Sequence, residues 1–162
     1  MLVMVAAARL DAQEPIKPLQ EMSVSAESVR DSIVALARAQ IGRKYVWGGE
    51  SPDHGFDCSG LVQYVLSALH IDVPRTARQL AKAGTPVPKD TSVLRPGDLL
   101  LFGRGKSGTA SHVGIYVGDG LFVQASSAAG RVVESPLQRP VSALAKVWQS
   151  ARRILTLDDS TK

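Results

Sequence analysis

The stretch SHVGIYVGDGLFVQASS (111–127) admits few folds. Two apolar-rich runs flank Gly118-Asp119-Gly120, the pattern of a β-hairpin. With those three residues as the loop, Val117 faces Leu121, and Val113, Ile115, Val117, Leu121, Val123 and Ala125 share one wholly apolar face. His112, Gly114, Tyr116, Phe122, Gln124 and Ser126 share the other. A two-residue loop would mix the faces and strand apolar groups in water. The hairpin therefore demands a core against its odd face. It also makes His112 and Gln124 diagonal neighbours across the strands.

The run GFDCSGLVQYVLSAL (55–69) holds the only cysteine of the chain, Cys58. Leu61, Val62, Val65, Leu66 and Leu69 recur at helical spacing, which puts Cys58 at or just before a helix N-terminus. Backbone N–H groups and the helix dipole favour a thiolate there. Asp57 fits an N-cap, although a negative neighbour opposes a thiolate.

The 162 residues suffice for one domain with a real core. A lone cysteine excludes an internal disulfide and a cysteine-based zinc site. His54, His70 and His112 lack metal-ligand spacing, so no metal or cofactor is expected. His54 reads as solvated and His70 as a cation at a helix end. No apolar run reaches the roughly 18 residues of a membrane span. The net charge of +4 suits a solvated surface or an acidic polymer. Without a basic run interleaved with aromatics, nucleic acid is not expected.

SAESVRDSIVALARAQIG (25–42) predicts a helix stopped by Gly42, with Ser25 as candidate cap. YVWGGESPDHG (45–55) reads as a loop, and DVPRTARQLAKAG (72–84) as a turn and a short helix ending at Gly84. RPGDLLLFG (95–103), RVVESPL (131–137) and AKVWQSARRIL (145–155) predict strands, and GRGKSGTA (103–110) a flexible loop. Residues 1–25 read as a leader or linker, either the remnant of a signal peptide or a disordered segment. A single globular domain is expected over 26–157, with a disordered tail at 158–162.

A cysteine at a helix N-terminus, a histidine opening a strand and a polar residue beside it are the parts of a thiol nucleophile site. The thiolate attacks a carbonyl, the imidazole takes and returns the proton, and the third group orients the ring. The local sequences YVWGG, FDCSGLVQYV, VPRTARQL, LRPGDLLLF, HVGIYVGDG and ARRI occur here in that order. Together they resemble the NlpC family of cell-wall cysteine peptidases, over roughly Ser28 to Leu155. The resemblance implies a papain-like α+β fold, with a helix-borne cysteine packed against an antiparallel sheet carrying the histidine. It implies cleavage of peptidoglycan stem peptides at the bond between D-γ-glutamate and a diamino acid.

Carried over, Cys58 is the nucleophile, His112 the base, and Tyr45 an oxyanion partner beside the Cys58 backbone N–H. Gln124 stands where the family most often has a second histidine; its amide oxygen is expected to accept the Nδ1–H of His112. Asp57 and Ser59 are expected to receive the free amine of an N-terminal L-alanine, whose charge would neutralise Asp57. Trp47, Arg75 and Thr76 complete the expected substrate-binding set, although Trp47 and Tyr45 could equally pack a loop. Lys44 replaces a common proline, and Ala77 a common serine, which weakens the inference for the second substrate pocket. The implied partner is peptidoglycan or muropeptides, met by a monomer in the periplasm or outside the cell, with cytoplasmic muropeptide recycling as the alternative. Other readings are a related thiol amidase or acyl-transfer enzyme, a toxin included, and a catalytically idle wall-binding module.

Overall fold

The computed structural model describes residues 25–103, 109–137 and 148–155. Of the expected leader only Ser25 is among them; the expected tail lies outside the described residues, as does most of the loop expected over 103–110. The first element is α1 (Ala26–Arg38), where the Ser25 hydroxyl accepts the Ser28 N–H at 3.1 Å. That bond satisfies one of the orphan donors of the first turn. Next come β1 (Glu50–Ser51) and β2 (Gly55–Phe56), a two-stranded ribbon in what the sequence reads as plain loop. Glycine and proline density signals irregular chain and hides pairs this short.

The helix α2 (Cys58–Ser67) is capped by Asp57 as expected. The helix read over 72–84 is a single turn, α3 (Ala77–Leu80), closed by a reciprocal capping box between Thr76 and Gln79. The strands β3 (Thr85–Val87), β4 (Leu99–Phe102), β5 (His112–Gly118), β6 (Leu121–Ser126), β7 (Arg131–Pro136) and β8 (Trp148–Arg153) form one sheet in the order β3-β8-β4-β5-β6-β7. Every pairing in it is antiparallel. Strand β3 has no signal in the sequence: three residues with a central proline acquire strand geometry by pairing with β8 at the sheet's edge.

The hairpin pairs Ile115 with Val123 and Tyr116 with Phe122, the register its alternation demands. The loop differs from expectation. Gly118 pairs with Leu121, leaving a two-residue turn of Asp119 (φ 53°) and Gly120 (φ 72°). A bulge between Tyr116 and Gly118 absorbs the extra residue. Positive φ at both central positions matches the tight turn whose twist suits a hairpin, and the bulge keeps the two faces unmixed.

Both faces of the sheet are covered. Val113, Ile115, Val117, Val123 and Ala125 pack with Ile33 and Ala37 of α1 and Leu61, Val62, Val65 and Leu66 of α2. Across the sheet, Tyr116 and Phe122 join Leu100, Phe102, Val87 and Ala151 in a second, smaller cluster. The run LLLF of β4 is therefore buried throughout, with Leu99 and Leu101 in one cluster and Leu100 and Phe102 in the other. Asp98, 1% exposed, precedes this strand and accepts from Arg153 at 2.8 and 2.7 Å, tying β8 to the Pro96-Gly97 turn.

A candidate active-site cleft

The N-terminus of α2 and the start of β5 meet in a cleft of about 1110 Å³. Tyr45, Trp47, Asp57, Cys58, Ser59, Arg75, Thr76, His112 and Gln124 all line it, so the structure gathers the nine candidate catalytic and substrate-binding residues. Close approach of the YVWGG loop to the helix depends on glycine: a Cβ on Gly60 would collide with the Gly49 carbonyl oxygen. His54 is exposed in a turn outside the cleft. His70 takes φ 60° just past α2, the left-handed position that ends helices. Among the described residues no three histidine, cysteine or acidic side chains are grouped to hold a metal.

Cys58 opens α2 with its side chain partly buried. Burial pushes its thiol above the ordinary range; the Val113 N–H opposes this, the Asp57 charge adds to it, and the N–H groups of Ser59 and Cys58 itself oppose it again. Burial wins, so the helix terminus moderates the thiol without making it a resting thiolate. The Val113 amide places the sulfur against the residue that follows His112.

His112 is held through one nitrogen. Its Nε2 lies 2.6 Å from Gln124 Oε1, which makes Nε2 the protonated donor and leaves Nδ1 as the acceptor. The expectation had the opposite nitrogen: Gln124 engages Nε2, not Nδ1. Gln124, a diagonal neighbour across the strands, takes the Nε2 side of the ring and leaves Nδ1 to other partners. Gln124 is 2% exposed and its amide nitrogen donates to Ser135 Oγ at 3.0 Å. Ser135 thereby anchors the amide beside the histidine. The sequence carries no sign of Ser135, because its place opposite Phe122 depends on the β6–β7 register. Burial lowers the His112 pKa, and the Gln124 hydrogen bond partly restores it, so the imidazole is neutral at rest. The Phe102 ring packs against it at 5.8 Å.

Tyr45 titrates above its ordinary value, first through burial and then through the nearby Cys58 and Asp57 charges. Its hydroxyl stays a donor.

Asp57 has the opposite setting. Its Oδ1 accepts from the Gly60 N–H at 2.7 Å and from Arg75 Nη1 at 3.0 Å. Its Oδ2 accepts from the Gly48 N–H at 3.0 Å and from Arg75 Nη2 at 2.9 Å. Burial raises the carboxyl pKa, but the Arg75 hydrogen bonds, the Gly60 N–H, the Arg75 charge and the Gly48 N–H outweigh it and hold it low. The charge expected to await a substrate amine is thus already matched by Arg75 within the protein. Arg75 also reaches Ser59 Oγ at 2.9 Å and Glu50 Oε2 at 3.1 Å. The set of Asp57, Glu50 and Arg75 keeps one net negative charge, which still suits a cation. Thr76 lines the cleft with its hydroxyl committed to Gln79 at 2.9 Å, whereas Trp47 stands 87% exposed at the rim.

A thiol, a neutral imidazole with a free Nδ1 lone pair and an oriented amide can perform acyl transfer. The family model described as NlpC/P60 family matches residues 42–152. The chain is 42% identical over 122 residues to Murein DD-endopeptidase MepH of Escherichia coli K12, covering 72% of this chain and 43% of that protein. It is 38% identical over 121 residues to Gamma-DL-glutamyl hydrolase of Bacillus subtilis 168, covering 74% and 29%. This chain therefore spans less than half the length of either relative. Among solved structures, an NlpC/P60 family protein from Bacillus cereus superposes with a TM-score of 0.71 at 31% identity, over 78% of this chain and 40% of that one.

Proposed function

The chain belongs to the NlpC/P60 family, and on that premise we propose that it is a cysteine endopeptidase of peptidoglycan stem peptides. The observation that carries this reading is the single hydrogen bond from His112 Nε2 to Gln124, which leaves Nδ1 open in the cleft that Cys58 lines. His112 Nδ1 takes the Cys58 proton as the sulfur attacks the peptide carbonyl carbon. The Cys58 backbone N–H and the Tyr45 hydroxyl donate to the oxyanion. The leaving amine departs with the proton from His112, and water, deprotonated by His112, then releases the acyl group from sulfur. Asp57, Ser59, Arg75, Thr76 and Trp47 bind the peptide, with Asp57 and Ser59 facing the free amine of its N-terminal L-alanine on the acyl side of the scissile bond.

The bond we assign joins D-γ-glutamate to the diamino acid. The two relatives named above carry different bond specificities in their names, so products decide between them. Action in the periplasm or outside the cell follows from the substrate, and the +4 charge favours adhesion to an acidic wall. Digestion of purified muropeptides followed by mass spectrometry is the test. Products ending in L-alanyl-D-glutamate, with release of the peptide that begins at the diamino acid, support the assignment. Conversion of crosslinked dimers to intact monomers moves it to the crosslink, and unchanged muropeptides together with unchanged free stem peptides reject the enzyme reading.

A further inference from the structure

Lys44 and Arg131 form an isolated antiparallel bridge beside the cleft. The Tyr45 N–H bonds the Gly130 carbonyl at 2.9 Å, and the Val132 N–H bonds the Arg43 carbonyl at 2.8 Å. This pattern makes Lys44 and Arg131 a non-hydrogen-bonded pair, the arrangement that brings opposed side chains closest. Arg131 also pairs with Ser126, so Ser126, Arg131 and Lys44 lie in one row across three chain segments.

The face of that row follows from its neighbours. Val132 is fully buried in the helix-side core, so Arg131 stands on the opposite face, with Val133 and Ser135. Val133, Ser135, Gln124 and Ser126 all line the cleft. The two cations therefore extend the cleft floor by one residue pair beyond Gln124 and Val133. Both are exposed, and neither side chain has an ion pair or hydrogen bond among the described residues. Like charges directly opposed across strands destabilise the free protein. A ligand anion between them would remove that cost.

We propose that Lys44 and Arg131 form a carboxylate-binding subsite for the peptide whose scissile bond lies at Cys58. The guanidinium fork of Arg131 suits a two-pronged carboxylate, and Lys44 adds a point charge. This rests on the endopeptidase reading and deepens it: the cleft reads an amine beside Asp57, Glu50 and Arg75, and a carboxylate beside Lys44 and Arg131. A wall peptide with its γ-linked glutamate and diamino acid carries such carboxylates.

The test compares two stem peptides that differ only in whether the glutamate and diamino acid carboxylates are free or amidated. The wild-type protein should show a KM about tenfold lower for the free acid, a gap that salt narrows. Lys44→Gln with Arg131→Gln should raise KM for the free acid to the amidated value and leave kcat within about twofold. Lys44→Gln alone should melt at or above the wild-type temperature, since it relieves the repulsion. A gap that persists in the double variant, or a wild type with none, overturns the subsite. Should the wild type cleave neither peptide, the endopeptidase reading fails, and titration calorimetry with both peptides still judges the subsite: tighter binding of the free acid, lost in the double variant, supports it, and equal binding overturns it. Polyglycerol phosphate is the third probe. If the double substitution abolishes its binding while peptides bind unchanged, the site serves a wall polyphosphate and the peptide assignment is overturned.

Discussion

On one side of Cys58, the Asp57 carboxylate accepts from Gly48, Gly60, Ser59 and both terminal nitrogens of Arg75. On the other, Nε2 is the one hydrogen-bonded nitrogen of the His112 ring among the described residues. The first region carries permanent charge, and every lone pair with a fixed partner resists reorganisation. The second keeps its groups neutral, the thiol pushed up and the imidazole down by burial. Proton transfer needs an acceptor left open, so that region is under-bonded by design of its register. Structure concentrates where charge is held, and reactivity where a lone pair is left over.

The comparison breaks most directly at Cys58. Cys58→Ala should cut turnover by about 10⁴-fold or more while leaving the melting curve in place. Alanine deletes one sulfur at a cleft wall, and the apolar face of α2 is untouched. Digestion at the wild-type rate would end the thiol mechanism.

Arg75→Ala attacks the bonded side. Asp57 is 14% exposed and Arg75 30%, so losing the fork should cost about 2–3 kcal/mol of stability, less than a fully buried pair because water reaches the site. The sign with pH follows from the lowered Asp57 pKa. Its stabilisation is complete above the ordinary value of 3.8 and is lost as pH falls through the lower folded value. Arg75→Ala should flatten that acid limb, and urea unfolding between neutral and acid pH measures it.

Gln124→Ala attacks the open side. Losing the orienting bond should cost about 1–2 kcal/mol, roughly 5- to 30-fold in kcat, with a smaller change in stability than Arg75→Ala. Because that bond favours protonated His112, its loss should also shift the acid limb of kcat/KM to lower pH. Gln124→His should retain activity by presenting a ring nitrogen acceptor. An undiminished kcat in the alanine variant would remove Gln124 from the mechanism.

Ser135→Ala should give the smallest effect, about two- to fivefold in kcat, since Ser135 acts only through Gln124. The same variant in a Gln124→Ala background should cost nothing further. An additive loss would mean that Ser135 meets substrate itself.

Much of this was legible in one dimension because the deciding patterns are local. The helix at Cys58 follows from apolar spacing and a capping aspartate, and the hairpin register follows from an alternation that tolerates no slip. The α+β, papain-like class came through the motifs and is matched by the neighbours' folds. The ribbon at Glu50–Phe56 and the edge strand Thr85–Val87 were illegible, since two or three residues become strand only through a partner.

The sequence by itself determined that Cys58 begins a helix, that His112 and Gln124 share a hairpin face, and that the odd face is buried. Each is a matter of period and near neighbours. Only the tertiary structure decided which imidazole nitrogen Gln124 engages, that Ser135 anchors the amide, and that Arg75 already balances Asp57. These contacts join residues between 11 and 18 positions apart, through pairings that no local pattern encodes. A hydrogen bond needs its direction and distance fixed at both ends, and that information exists only once the strands and the helix are packed together.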